Sequence, residues 1–322
     1  MERRKIRRRL VGISLVLFGS WAFAIPGFAG QSGSARSDLA RVIVTVSGAR
    51  HAPPPKLHRQ DVMVYQNGKR RPVVSWTPLT QNPEHLDFAV LIDDSLRATV
   101  GLQFHDLRAF IRSLPAGSKV ALAYGKYGSA VFAASFTTDR EAVLRALRLP
   151  TGRASLGSSI YMALDSLIRK WPHDGAAREV LLVSSGIDLY RGIEESEPTD
   201  ANMDLMHAIG MAQRYHVTVH TIFAQSAGFE GRNYFLINNG QGSLGRLAFE
   251  TGGASFEEGF QTPISFAPYL RQLTELLHRQ FLLTFRLAPA RQAGFEPLRV
   301  TTEVPGAELI APDRVFVPAA TP

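Results

Sequence analysis

Eleven residues, His85-Leu-Asp-Phe-Ala-Val-Leu-Ile-Asp-Asp-Ser95, constrain this chain's architecture most: an apolar run stops abruptly on two carboxylates and a hydroxyl. Such a run is the pattern of a strand buried on both faces, the usual state of parallel strands in α/β sheets. Ligands of open α/β sheets gather beyond the carboxyl ends of those strands, so Asp93 and Ser95 mark a candidate surface site.

The element order that follows is α/β. Gln103 to Leu114 reads as a helix with Phe104, Leu107, Phe110, Ile111 and Leu114 on one face, stopped by Pro115. Residues 119–124 and 130–136 are short strands joined by a tight glycine-bearing turn, which places an antiparallel edge strand on a mostly parallel sheet. Leu156 to Trp171 is a helix, 179–184 a central buried strand, Asn202 to Tyr215 a helix and 217–223 the next strand. Helices over Leu244 to Thr251 and about 264–280, around a short strand near Ala254, complete the unit.

Both flanks carry β patterns. Residues 41–46 alternate like a strand, His51-Ala-Pro-Pro-Pro-Lys56 is rigid and extended, and 62–69 leads into a hairpin whose Asn67-Gly68 pair suits a type I′ turn. Residues 40–80 thus form a small β module after a Gly/Ser-rich linker at 30–39. At the other end, 281–287 and 298–304 read as a terminal β pair, so 261–318 is expected to be a helix and hairpin packing on the N-terminal module.

Six basic residues within 1–9 precede an apolar run from Leu10 to about Ala29, and Ala22-Phe-Ala24 and Gly27-Phe-Ala29 both suit a signal peptidase. The run is also long enough for an uncleaved membrane anchor. Either outcome places the remainder outside the cytoplasmic membrane, periplasmic or extracellular. Setting residues 1–29 aside removes five net positive charges, and the formal +8 becomes +3. Nucleic acid is therefore not the expected partner, and Lys69-Arg70-Arg71 is read as a solvated hairpin tip. The sequence contains no cysteine, which excludes disulfides, thiolate metal sites and cysteine nucleophiles.

Three short motifs, in order, resemble the metal-ion-dependent adhesion site of von Willebrand factor type A domains. The family's Asp-x-Ser-x-Ser falls on Asp93-Asp94-Ser95-Leu96-Arg97, its threonine on Ala154 in Gly152-Arg-Ala-Ser-Leu-Gly157, and its aspartate on Ser185 in 180–186. The resemblance covers about residues 84–260. It implies a Rossmann-like α/β fold with helices on both faces of the sheet. The flanks are similar to those of a bacterial group of exported proteins built around this domain.

Three of the five motif side chains are changed, so the resemblance implies a degenerate metal site. Mg²⁺, Mn²⁺ or Ca²⁺ requires several oxygen ligands, and here Asp93 and Ser95 supply two, with Ser155 and Asp188 one to three positions from the remaining ligand positions. Arg97 adds a permanent cation beside them. The expectation is no cofactor, with a weak divalent site as the alternative, and equally a structural Asp93 that accepts backbone N–H bonds. The rim for a protein or cell-envelope partner is read as Asp94, Arg97, Tyr190, Arg191, Glu194 and Glu195, with 229–235 as the opposite wall. A structural or envelope-assembly module using the β additions is the rival reading.

Enzymatic readings find little support. Gly240-Gln-Gly-Ser-Leu-Gly245 has the spacing of a dinucleotide fingerprint but lies far from the first strand, and is read as a tight loop before the Leu244 helix. His216 and His220 bracket a strand and stand about 13 Å apart, too far to share a zinc. Ser184 and Ser185 lack the Gly-x-Ser-x-Gly elbow. The chain is expected to be a binding module.

Overall fold

The computed structural model describes residues 39–48, 53–81, 86–152, 159–172, 174–188, 190 and 202–320. The segment at 1–29 expected to direct export, and nearly all of the expected 30–39 linker, lie outside the described residues. No helix among the described residues is long and apolar enough to cross a membrane.

The N-terminal strands are β1 (Leu39–Gly48), β2 (Val62–Gln66), β3 (Lys69–Arg71) and β4 (Val73–Pro78). The α/β unit runs through β5 (Leu86–Asp93), α1 (Phe104–Ser113), β6 (Lys119–Lys126), β7 (Ser129–Thr137), α2 (Arg140–Arg145), α3 (Ile160–Arg169) and β8 (Ala177–Ser184). It continues through α4 (Met203–Arg214), β9 (Val217–Phe223), α5 (Tyr234–Thr251), β10 (Ser255–Phe256) and α6 (Ala267–Leu277). Strands β11 (Gln280–Arg286), β12 (Gly294–Thr302), β13 (Ala307–Ile310) and β14 (Arg314–Val317) close the chain.

The central sheet has the order β10-β9-β8-β5-β6-β7. Its strands pair in parallel except β7, which returns antiparallel beside β6. Every residue of β5, β8 and β9 is buried, because helices cover both faces. The two-residue period of the strand divides β5 between two cores. Phe88, Val90 and Ile92 join α1 and α6, whereas Ala89 and Leu91 face α3, α4 and α5. Small residues on the second face let α3 come close: a side chain at Gly125 would meet Ile160 at 2.6 Å.

Helix α5 corrects the loop expected at 240–245. It starts at Tyr234, ten residues before Leu244, with Asn233 as its N-cap accepting from the Phe235 and Leu236 amides. The three glycines lie within it, and Gly240 provides a notch. A Cβ there would stand 2.2 Å from the Ser185 carbonyl oxygen, and one on Gly186 would stand 2.2 Å from the Gly240 carbonyl oxygen. The helix and the β8 turn therefore cross at backbone contact, a packing role that needs no nucleotide.

The expected terminal β pair is also not what forms. Strand β11 lies between β1 and β4 in the sheet β13-β1-β11-β4, while β12 lies between β14 and β2 in the sheet β14-β12-β2-β3. Both sheets draw strands from both ends of the chain. Val42 and Val44 of β1, Val64 of β2, Leu283 and Phe285 of β11, Val300 of β12 and Val315 of β14 fill one core between them. The turn between β2 and β3 has Asn67 at φ 48 and Gly68 at φ 72, both left-handed as a type I′ turn demands. Ile43 and Leu282 pack with Leu86 and Ala177, the first residues of β5 and β8. This sandwich thus sits at the amino ends of the central strands, opposite Asp93.

Candidate functional site

The loop after β5 is built around Asp93. Its Oδ1 accepts from the Ser95 amide at 2.9 Å and the Ser95 hydroxyl at 2.7 Å, and its Oδ2 accepts from the Ser184 hydroxyl at 2.7 Å. Ser184 Oγ in turn accepts from the Gly186 amide at 3.0 Å. One carboxylate therefore ties the ends of two adjacent parallel strands together. Burial raises its pKa and the Asp94 charge adds to this, against the stabilising bonds from Ser95 and Ser184.

Asp94 does not stand on the rim. Its side chain is buried: Oδ1 accepts from Arg148 at 2.7 Å and from the Thr151 amide at 3.1 Å, and Oδ2 accepts from the Thr151 hydroxyl at 3.0 Å. Arg148 lies over the Tyr124 ring at 3.8 Å, and the Tyr124 hydroxyl donates to the Arg148 carbonyl at 2.6 Å. This carboxylate anchors the 148–152 loop. Arg97 is half-buried, and its Nε donates to the Ser226 carbonyl at 3.1 Å while its amide donates to the Gln225 carbonyl. Among the described residues it forms no ion pair with Asp93. The β5 and β9 loops are joined further by the Ala227 amide on the Ser95 carbonyl at 2.9 Å.

Ser185 is buried, and among the described residues its hydroxyl accepts a long bond, 3.4 Å, from the Ile187 amide. Tyr161 on α3 donates to the Gly186 carbonyl at 2.6 Å, which fixes the same turn from the other side. Asp188 accepts from the Ser159 hydroxyl and the Tyr190 amide, both at 3.0 Å. Burial, with Asp204 nearby as a second carboxyl, raises the Asp188 pKa to about 6. Ala154, Ser155, Arg191, Glu194 and Glu195 lie outside the described residues.

Each oxygen of these three carboxylates thus accepts at least one protein hydrogen bond. Both Asp93 oxygens hold hydroxyl or amide protons, both Asp94 oxygens belong to Arg148 and Thr151, and Asp188 is bonded to Ser159 and Tyr190. Among the described residues no group of three or more carboxylates and imidazoles is placed to hold a metal. The serine hydroxyls have structural duties as well, and the buried His220 bonds Glu179 at 2.7 Å instead of a serine.

Around this polar centre lies an apolar margin, of which the sequence pointed to Tyr190 and the 229–235 segment. Tyr190, Tyr234, Phe235, Phe260 and Ile264 are all exposed, Phe235 at 70% and Ile264 at 96%. They leave the carboxyl ends of β8, β9 and β10, and Tyr234 and Phe260 meet edge to face at 5.2 Å. The 257–264 loop is held over the sheet top by Gln241, which donates to the Gly259 carbonyl, and by Thr262, which accepts from the Gln225 amide at 2.9 Å. Phe260 and Ile264 were missed because isolated apolar residues in a loop carry no periodicity. An aromatic pair in the first turn of an outer helix, as at 234–235, is the signal that was available.

No protein-family model matches this sequence, and no curated protein matches it. Among solved structures, the chain is similar to von Willebrand type A domains. A von Willebrand factor type A protein from Catenulispora acidiphila shares 13% identity over 88% of this chain and 74% of its own, with a TM-score of 0.38. The SpRpn10 type A domain shares 14% identity over 58% of this chain and 94% of its own, at 0.38. An aerotolerance-related membrane protein from Bacteroides fragilis shares 15% over 60% of this chain and 98% of its own, at 0.41.

Proposed function

We propose that this chain is an exported, non-enzymatic binding module that receives a protein or cell-envelope partner on the top of its sheet without a bridging metal. The observation that carries this reading is the exposed margin of Tyr190, Tyr234, Phe235, Phe260 and Ile264 around a polar centre in which Asp93 is held by Ser95 and Ser184. Clustered exposed apolar side chains mark interaction surfaces, and aromatic residues supply most of the energy in them. In this reading Arg97, half-buried with its Nε on the Ser226 carbonyl, would receive an acidic residue of the partner through its remaining N–H groups.

A photo-cross-linking residue placed at Phe235 or Ile264 of the full chain, in envelope extracts, tests the reading. The expected result is one discrete adduct from each position, unchanged by EDTA. Adducts that vanish with EDTA would instead establish a metal-dependent adhesion site. The rival assembly reading draws on Val74 and Ile310, exposed on the edge strands β4 and β13. Adducts formed only from Val74 or Ile310 would transfer the function to the sandwich.

A further inference from the structure

At the opposite end of the sheet, a cleft of about 160 Å³ opens where β1, the entry to β8, the α4–β9 corner and β11 meet. Among the described residues its polar side chains are Arg41, Arg178, Tyr215 and His216, and no carboxylate lines it. Both arginines are positioned by neutral carbonyls. Arg41 Nη1 donates to Gly175 at 3.3 Å, and Arg178 donates through Nη2 to Pro172 at 2.8 Å and through Nη1 to Tyr215 at 3.4 Å. Neither makes an ion pair among the described residues, and the buried Arg178 Nε has no partner.

We infer that this cleft is a phosphate-binding site, formed by Arg41 from the sandwich and by Arg178 and His216 from the α/β unit. The volume corresponds to about five waters, enough for one tetrahedral oxyanion. Two guanidiniums beside an imidazole, with no acid among the described lining residues, match the donor types that phosphate recognition uses. Two acids lie near Arg178 outside the cleft lining, and Asp87 keeps one buried oxygen, Oδ1, without a partner. Asp87 accepts from the Trp171 indole at 3.0 Å, and Asp174 pairs with Lys119 at 2.6 Å. The positive field survives them: beyond burial, Arg178 and then Arg41 hold the His216 pKa down at about 4. Left-handed backbone at His216, φ 55, and at Gly175, φ 76, presents both corners to the cleft.

The test is titration of the full chain with inorganic phosphate, against chloride at matched ionic strength, by calorimetry and thermal unfolding. Saturable one-site binding with Kd near ~1 mM or tighter is expected. Bound phosphate spans the seam between the two units, so Tm rises by about 2–4 °C at saturation. Arg41→Gln alters an exposed side chain and leaves the fold intact; it is expected to weaken binding at least about tenfold. Arg178→Lys retains one cation and gives an intermediate loss. A phosphate monoester that binds more tightly than inorganic phosphate identifies an organic ligand, and equal binding identifies the free ion. Absence of saturable binding, equal binding by Arg41→Gln, or binding of acetate in preference to phosphate would each overturn the assignment.

Discussion

Asp93 illustrates how one carboxylate changes role when its neighbours change. With Ser95 on one oxygen and Ser184 on the other, its charge is used to join two strand ends. Asp93→Ala removes three bonds and leaves two buried hydroxyls without an acceptor, so urea unfolding is expected to show a loss of about 2–4 kcal/mol. Millimolar Mg²⁺ is expected to leave the wild-type midpoint unchanged. Two further residues contribute opposite slopes to the pH dependence, beside the raised carboxyls of Asp87, Asp93 and Asp313. Asp188 has a folded pKa raised from 3.8 to about 6, so the folded state binds the extra proton and this group's contribution to stability falls as pH rises across that window. His216 has a folded pKa lowered from 6.5 to about 4, so the unfolded state binds the extra proton and stability rises with pH between those values. In the wild type the two slopes oppose. Relative to wild type, Asp188→Asn is expected to gain stability as pH rises from 4 to 6, and His216→Asn to lose it as pH rises from 4 to 6.5, each by about 1–2 kcal/mol from urea unfolding in chloride buffers.

Helix α5 shows the same dependence on context for a whole element. Helix propensity alone makes Gly→Ala favourable by roughly 1 kcal/mol at any interior position. At Gly245, where an added Cβ meets nothing within 4 Å, Gly245→Ala is expected to stabilise by about 0.5–1 kcal/mol. At Gly240 the methyl would enter the Ser185 carbonyl, so Gly240→Ala is expected to destabilise by several kcal/mol and to loosen the turn that carries Ser184. Thermal melts of the two variants with opposite signs check the notch directly. The same comparison explains what was legible. Strands β5, β8 and β9 announce themselves through continuous apolar runs, and α1 through Phe104, Leu107, Phe110 and Ile111 at helical spacing. The first ten residues of α5 do not, since Asn238, Asn239, Gly240 and Gly242 read as a loop until the Ser185 turn lies against them.

Across the whole molecule, the sandwich makes the two chain ends interdependent. Strand β11 pairs β1 over seven residues and β12 pairs β2 over five, so neither sheet closes without residues 39–81. Deleting 39–81 would expose Leu283, Phe285, Leu298 and Val300 from the sandwich core, and Leu86 and Ala177 from the seam. The truncated chain is expected to aggregate on expression, whereas the intact chain unfolds in one cooperative transition by circular dichroism and tryptophan fluorescence. A soluble, folded truncation would show that the α/β unit stands alone. Local information in the sequence determined the strand and helix character of most elements, the polar stop at Asp93 and the type I′ turn at Asn67-Gly68. These follow from side-chain periodicity, backbone preference and chain order. Only the tertiary structure decided that Asp94 turns inward to Arg148, that β11 and β12 part into different sheets, that α5 runs on through its glycines, and that exposed aromatics gather at one end of the sheet while arginines gather at the other. Each of these depends on contacts between residues far apart in the chain, whose energies no local pattern records.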